Sequence, residues 1–490
     1  MPDDPRRTAI NAVALPWPGS VRSCILRPLI DSRLVKGPMD STPLPSEQPQ
    51  PLRRRPRFAV CTLGCKLNQS DEEDVRRGLR QSGMVEVEFS DDADVYIVNT
   101  CTVTHLADRR SRQMLRRARR KNPAALVAAI GCYPAVAPED LQEMPEVDLI
   151  AGSVDKLTVV DDILVRVGWV NETFDLDMSD IAQRETRTRR MIKIQEGCRA
   201  HCTYCIIPRA RGAPRNVAPD EIIRQVRQAI EEGYREVVLT GTHVGTYKWP
   251  VGDRTLRLAD VLERVLDQTA IERLRVTSVG PHEIDSRFIE IINHPRMAPH
   301  LHMALQSGSE TVLRRMKRWY NTRQFRRSVR QLREMVPEIG ITTDLIVGFP
   351  GETDEEFEAG CAFVREIGFS KLHVFPFSPR RNTPAAEMSG QVHPRIKERR
   401  AATLREIGEE LSGAFAQRQI GPTLRVLVEQ VEREGPDGTR LWSGLTGNYL
   451  RVYVPADQDL DLSNRFVSVR GIERFQDGVL SSHPVAIDEE

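Results

Sequence analysis

Between residues 58 and 150, short apolar runs alternate with longer stretches of helical period. The runs at 58–62, 94–98, 126–130 and 147–150 predict strands, and 71–81, 104–120 and 138–143 predict helices. Alternation at this spacing predicts a parallel sheet with helices on its faces. The pattern resumes after residue 189, with strands predicted at 191–195, 236–240, 273–278, 301–306, 341–347 and 371–375. Six such units predict a partial (β/α) barrel, whose chemistry sits on the loops that follow its strands. From 422 the character changes to short runs at 424–431, 440–445, 449–454, 465–469 and 479–482, separated by Gly, Asn, Pro and Asp. These predict a small antiparallel β-barrel, joined to the preceding unit by a helix over 394–419. The fold class is thus α/β with a C-terminal all-β unit, divided as 57–170, 184–419 and 420–485.

Residues 1–56 stand apart. They lack periodic apolar positions and carry five prolines between 43 and 56, a composition that predicts disorder. Asp3, Asp4 and Asp31 argue against a targeting peptide, and a start at Met39 is the favoured expectation.

Composition adds two constraints. A chain of 490 residues is too long for one core and predicts two or three domains. Its net charge of +1 announces no nucleic-acid partner, so any such inference must rest on where the charge sits. No apolar run approaches the roughly 20 residues of a membrane-spanning helix.

The cysteines change the picture. There are nine, at 24, 61, 65, 101, 132, 198, 202, 205 and 361. An odd count in a long chain without a secretory signal favours reduced thiols, hence a cytoplasmic protein. Cys65, Cys101 and Cys132 each fall two or three residues beyond a predicted strand. Such loops gather at the carboxyl edge of an open α/β sheet, so the three thiols should converge. Cys198, Cys202 and Cys205 form a C-x3-C-x2-C run just after the first strand of the second unit. Three close thiolates hold three irons of a 4Fe–4S cluster and leave the fourth open. A closed zinc site would need a fourth ligand, for which His201 is the nearby candidate. Cys61 and Cys361 read as buried spectators, and Cys24 lies in the leader.

The run from Gly197 to Gly212, GCRAHCTYCIIPRARG, resembles the signature of the radical S-adenosylmethionine (AdoMet) superfamily. The resemblance narrows to the methylthiotransferase family and spans the chain from Phe58 onward. TLGCKLNQ (62–69), VNTCTVT (98–104) and IGCYPA (130–135) are similar to that family's N-terminal cluster-binding elements. LTGTHVGTY (239–247), HLHMALQSGS (300–309) and TTDLIVGFPGE (342–352) follow in family order, and GNYLRVYV (447–454) is similar to the strands of its C-terminal TRAM barrel.

This resemblance implies two 4Fe–4S clusters, an auxiliary one on Cys65, Cys101 and Cys132 and a radical one on Cys198, Cys202 and Cys205. The first would carry a sulfur that accepts a methyl group from one AdoMet. The second would cleave another AdoMet to a radical that removes hydrogen from an unactivated aromatic carbon. No side-chain acid or base is needed, because the cofactors carry the hard steps. Gly348, in GFPGE, resembles an AdoMet-contacting turn, although a Gly-Pro turn after a strand is commonly only a turn. Gly241, Gln306 and Asp344 are candidate AdoMet contacts by loop position, with ordinary barrel packing as the competing reading. Tyr204 would offer backbone contacts to adenine. Asn68 and Asn99 read as supporting donors or as turn residues. His201 and Gly280 depart from the family pattern without removing a ligand.

LGCKLNQ resembles the family members that act on threonylcarbamoyladenosine; alternatives are isopentenyladenosine in tRNA and an aspartate of a ribosomal protein. The implied partners are a tRNA anticodon stem-loop, a reduced electron donor and a sulfur donor, with no membrane, and a monomer is expected. An inactive iron–sulfur or zinc RNA-binding protein is the rival from another class. Eight basic residues between 109 and 121, nine between 314 and 333, and Arg209, Arg211 and Arg215 would serve RNA phosphates. The plainer reading of each run is a solvated helix face.

Overall fold

In the computed structural model the described residues are 54–153, 156–169, 188–434 and 439–488, all within the unit 49–490. The leader up to 53, with Cys24 and Met39, lies outside them. A five-stranded sheet opens the fold: β1 (Arg57–Thr62), β2 (Val85–Glu86), β3 (Val95–Thr100), β4 (Leu126–Gly131) and β5 (Leu149–Gly152). Their order is β2-β1-β3-β4-β5, with every pair parallel. β3 is central and all six of its residues are buried, as an apolar run covered on both faces requires.

Helices α1 (Lys66–Gln81), α2 (His105–Lys121) and α3 (Cys132–Val136) follow β1, β3 and β4. Two differ from the sequence reading. α1 begins five residues before the predicted start at 71, because its first two turns bury Asn68, Ser70, Asp71, Glu72 and Glu73. That polar face meets charged residues of the central unit, so no apolar periodicity marks it. Cys132, expected in a loop, opens a short helix directly after β4.

The central unit contains β6 (Arg189–Glu196), β7 (Arg215–Asn216), β8 (Glu236–Gly241), the hairpin β9 (Lys248–Val251) and β10 (Arg254–Arg257), β11 (Arg273–Val276), β12 (His300–His302), β13 (Gly340–Val347) and β14 (Lys371–Pro376). β6, β8 and β11 are parallel neighbours, as are β12, β13 and β14. Backbone bonds between Leu274 and the segment around Met297 bring β11 alongside the approach to β12. Among the described residues no pairing joins β14 back to β6, so the wall is a partial barrel with an open side. Buried aliphatic and aromatic side chains between this wall and its helices form the largest core.

A long helix, Pro394–Gln417, leads to the C-terminal barrel: β15 (Thr423–Glu434), β16 (Thr439–Thr446), β17 (Arg451–Asp457), β18 (Phe466–Phe475), β19 (Gly478–Ser481) and β20 (Ala486–Ile487). β15 pairs with both β16 and β18, which closes five strands, with β20 added at the edge of β18. The barrel was expected to be antiparallel throughout. One pair departs from that, since β17 and β19 run parallel. Among the described residues no helix is long and apolar enough to cross a membrane.

Candidate active site

The first cysteine triad is assembled by three consecutive strand ends. Cys65 caps α1, Cys101 follows β3 and Cys132 follows β4. Gly64 has φ of 108°, and a Cβ there would stand 2.9 Å from Cys101 Cβ and 3.0 Å from its Sγ. Only glycine lets the Cys65 loop approach so closely. Asn68 donates to the carbonyls of Leu63 (2.7 Å) and Thr100 (3.0 Å), while Asn99 donates to the Asn68 carbonyl (2.7 Å). These two amides, supporting donors or turn residues by sequence, therefore stitch the loops together from within a helix and a strand. Burial pushes the Cys101 thiol up to about 12. It raises Cys132 as well, although the Arg211 guanidinium beside that thiol opposes the effect.

The second triad hangs from the end of β6. Gly197 has φ of 78°, and a Cβ there would run into the Ala213 carbonyl, so the chain can turn sharply into Cys198. Gln195 pins the turn by donating to the Gly197 carbonyl (2.7 Å) and accepting from the His243 amide (2.8 Å). Burial would raise the Cys198 thiol, but hydrogen bonds from His243 and from the Ala200 amide (3.3 Å) outweigh it and hold the thiol below its usual range. His243 Nε2 lies 2.8 Å from a carboxylate oxygen of Glu283. Cys202 accepts from Arg318 Nη1 at 3.1 Å, and burial pushes Cys205 up to about 12.

Each triad thus presents three thiols with a cationic or hydrogen-bonding group already beside one of them. Such sites suit anionic thiolate–iron groups. Among the described residues no three His, Cys, Asp or Glu groups close on a single metal ion.

A buried charge network joins the two units that carry the triads. Arg211 ends the short helix Ile207–Arg211 beyond Cys205 and is 1% exposed. It donates to Asp71 (3.0 Å) and Asn68 of α1 and to Glu196 (2.5 Å) of β6, and it lies beside Cys132. Lys193 bridges the same carboxylates, at 3.0 Å from Asp71 and 3.1 Å from Glu196. The expectation that Arg211 meets RNA is therefore corrected: its charge is spent on buried acids. Arg209 and Arg215 remain exposed. The run over 314–333 is likewise broken up. Arg318 turns inward to Cys202, Arg315 and Arg326 pair with Glu356 and Glu366, and Arg333 caps the Ile367 and Gly368 carbonyls.

The candidate AdoMet residues are distributed as follows. Tyr204 packs with Phe349 and Phe377, its hydroxyl 3.4 Å from Arg318. Gly241 ends β8, where a Cβ would meet the Gln195 carbonyl at 2.5 Å. Gln306 has φ of 69° and bridges to Leu345. Gly348 has φ of 68°, and its amide donates to Glu352 at 2.6 Å. Asp344, expected on a loop, lies inside β13, its carboxylate 3.2 Å from His302 Nε2. His201 is exposed, and the Gly280 amide donates to Glu283. Sequence reasoning missed Arg318, His243 and Glu283, whose partners lie far away along the chain.

Residues 192–364, which contain the second triad, match the Radical SAM superfamily. Residues 57–152, which contain the first, match a family described as Uncharacterized protein family UPF0004. Over 413 residues the chain is 36% identical to threonylcarbamoyladenosine tRNA methylthiotransferase MtaB of Bacillus subtilis (strain 168), covering 82% of this chain and 91% of that one. The chain belongs to the methylthiotransferase family. A second relative of the same name, from Aquifex aeolicus (strain VF5), is 37% identical over 77% of this chain and 94% of its own length. The tRNA-2-methylthio-N(6)-dimethylallyladenosine synthase of Symbiobacterium thermophilum is 33% identical over 85% of this chain and 92% of its own. Membership of this radical SAM family brings with it an iron–sulfur cluster and AdoMet.

Proposed function

We propose that this methylthiotransferase converts N6-threonylcarbamoyladenosine at position 37 of ANN-decoding tRNAs to its 2-methylthio derivative. The carrying observation is that the unit bearing one cysteine triad is tied to the unit bearing the other by buried Arg211, which follows the second triad along the chain, bonds Asp71 of α1 and Glu196 of β6 and lies beside Cys132 of the first triad. The choice of base rests on the relatives of that name, which align over most of the chain. Cys65, Cys101 and Cys132 would hold one 4Fe–4S cluster and Cys198, Cys202 and Cys205 the other, each leaving one iron open. When bound, these clusters and AdoMet supply the methylthio group and the hydrogen abstraction that no side-chain base could perform on an aromatic carbon.

The chain's own residues do the positioning. Arg211 and Lys193 tie α1 to β6, which fixes one triad relative to the other, and a displacement of about 1 Å at such a junction would cost rate steeply. His243 and Arg318 direct N–H groups at Cys198 and Cys202, where they favour an anionic sulfur. Gly64 keeps the Cys65 loop against Cys101. An external reductant and a sulfur donor complete the reaction. The test is nucleoside mass spectrometry of tRNA from a deletion strain. Loss of 2-methylthio-threonylcarbamoyladenosine with retention of its unthiolated precursor is expected. Loss of a 2-methylthio-isopentenyl nucleoside, or of a modified ribosomal aspartate, would overturn the assignment.

A further inference from the structure

The first residue of α1 takes no part in the network around Arg211. Lys66 follows Cys65 directly and is half-buried. Its ammonium stands 5.0 Å from the centre of the Tyr449 ring. Tyr449 projects from the turn between β16 and β17, in a left-handed conformation with φ of 72°. Its ring stacks on buried His300 at 4.6 Å, and the Arg275 guanidinium lies over it at 4.8 Å. All three units meet here: α1, the bore wall of the partial barrel and the C-terminal barrel.

Most other charges in this wall already have partners. Arg273 and Arg275 share Glu236, Arg189 is bonded to Glu429, and Asp344 is paired with His302. Lys66 has no ion-pair partner among the described residues. A half-buried ammonium among guanidiniums is unfavourable unless an anion joins it. A carboxylate suits the place, since one oxygen can take the ammonium and the other the phenol hydroxyl. A backbone phosphate suits it less, because the ammonium is half-buried and packed over the Tyr449 ring, which itself stacks on buried His300.

We propose that Lys66 and the Tyr449 hydroxyl bind the carboxylate of the threonyl arm, so that the enzyme reads the modification already present on the base. This rests on the substrate reading above. Isopentenyladenosine and unmodified adenosine carry no such anion.

The experiment measures binding of the iron-loaded protein to anticodon stem-loops bearing threonylcarbamoyladenosine, its methyl ester or adenosine at position 37. The wild type should bind the free acid about tenfold more tightly than the ester, the increment of one charge-assisted hydrogen bond. Lys66→Met should bind all three alike at unchanged iron content, and Lys66→Arg should keep part of the preference. A Lys66→Met protein that still prefers the acid would overturn the site. So would one that loses affinity equally for all three ligands, which marks a phosphate contact. A wild type that prefers the arm equally as acid and ester would overturn the site and leave the substrate reading standing. A wild type indifferent to the arm would overturn the substrate reading itself.

Discussion

At the scale of single residues, the site depends on small groups that let large ones approach. Gly64 combines φ of 108° with a Cβ position 3.0 Å from Cys101 Sγ, so alanine there is both strained and crowded. Gly64→Ala should therefore disturb the first triad and spare the second. Iron and sulfide analysis of anaerobically reconstituted protein should give about eight irons per chain for the wild type and about four for the variant. Equal iron contents would show that the loop tolerates the side chain, and would count against cluster binding at Cys65. The convergence of Cys65, Cys101 and Cys132 was legible because strand spacing carries them to one sheet edge, while the other three cysteines lie within eight residues of sequence. Arg318 was not. It sits 116 positions from Cys202, and nothing local separates it from the other arginines of its run.

At the scale of elements, the predicted strands fall within a few residues of β3, β4 and β8, which are built on apolar runs. The start of α1 was missed because its buried face is polar, and that face is half of the unit junction. The junction between β8, β11 and the C-terminal barrel is polar too. There Arg273 reaches the Leu445 carbonyl (3.1 Å) and Arg275 the Gly447 carbonyl (2.8 Å), with Glu236 between them. Burial alone would raise the Glu236 carboxyl, but Arg273, Arg275 and Arg189 outweigh it and hold it down to about 2. Its ordinary value is 4.5, so folding favours the charged form by on the order of 3 kcal/mol. That stabilisation is complete above about pH 4.5 and fades as the pH falls toward 2. The gap in urea midpoint between wild type and Glu236→Gln should accordingly be widest above pH 5 and narrow as the pH drops to 3. A gap that stays constant would mean the carboxyl titrates no differently in the folded protein.

At the scale of the whole molecule, a net charge of +1 conceals a strongly uneven distribution. In α2, Arg109, Arg110, Arg116, Arg117, Arg120 and Lys121 are exposed and recur at helical spacing, opposite buried Ser111, Leu115 and Ala118. This helix starts four residues after Cys101, so its basic face runs outward from the first triad. Its cations also oppose the negative end of the helix dipole, which alone would account for Arg120 and Lys121 but not for Arg109 and Arg110. As an RNA-facing surface, it makes a prediction separable from that for Lys66. Replacing Arg109, Arg110, Arg117 and Arg120 together with Gln should weaken stem-loop binding whatever occupies position 37. It should also flatten the dependence of log affinity on log salt by about 0.7 to 0.9 for each phosphate no longer neutralised. Discrimination between the threonylcarbamoyl base and plain adenosine should survive, because phosphates position the RNA and carry no information about the base. An unchanged salt slope would return this face to the ordinary role of a solvated helix surface, and the RNA would have to approach from another side.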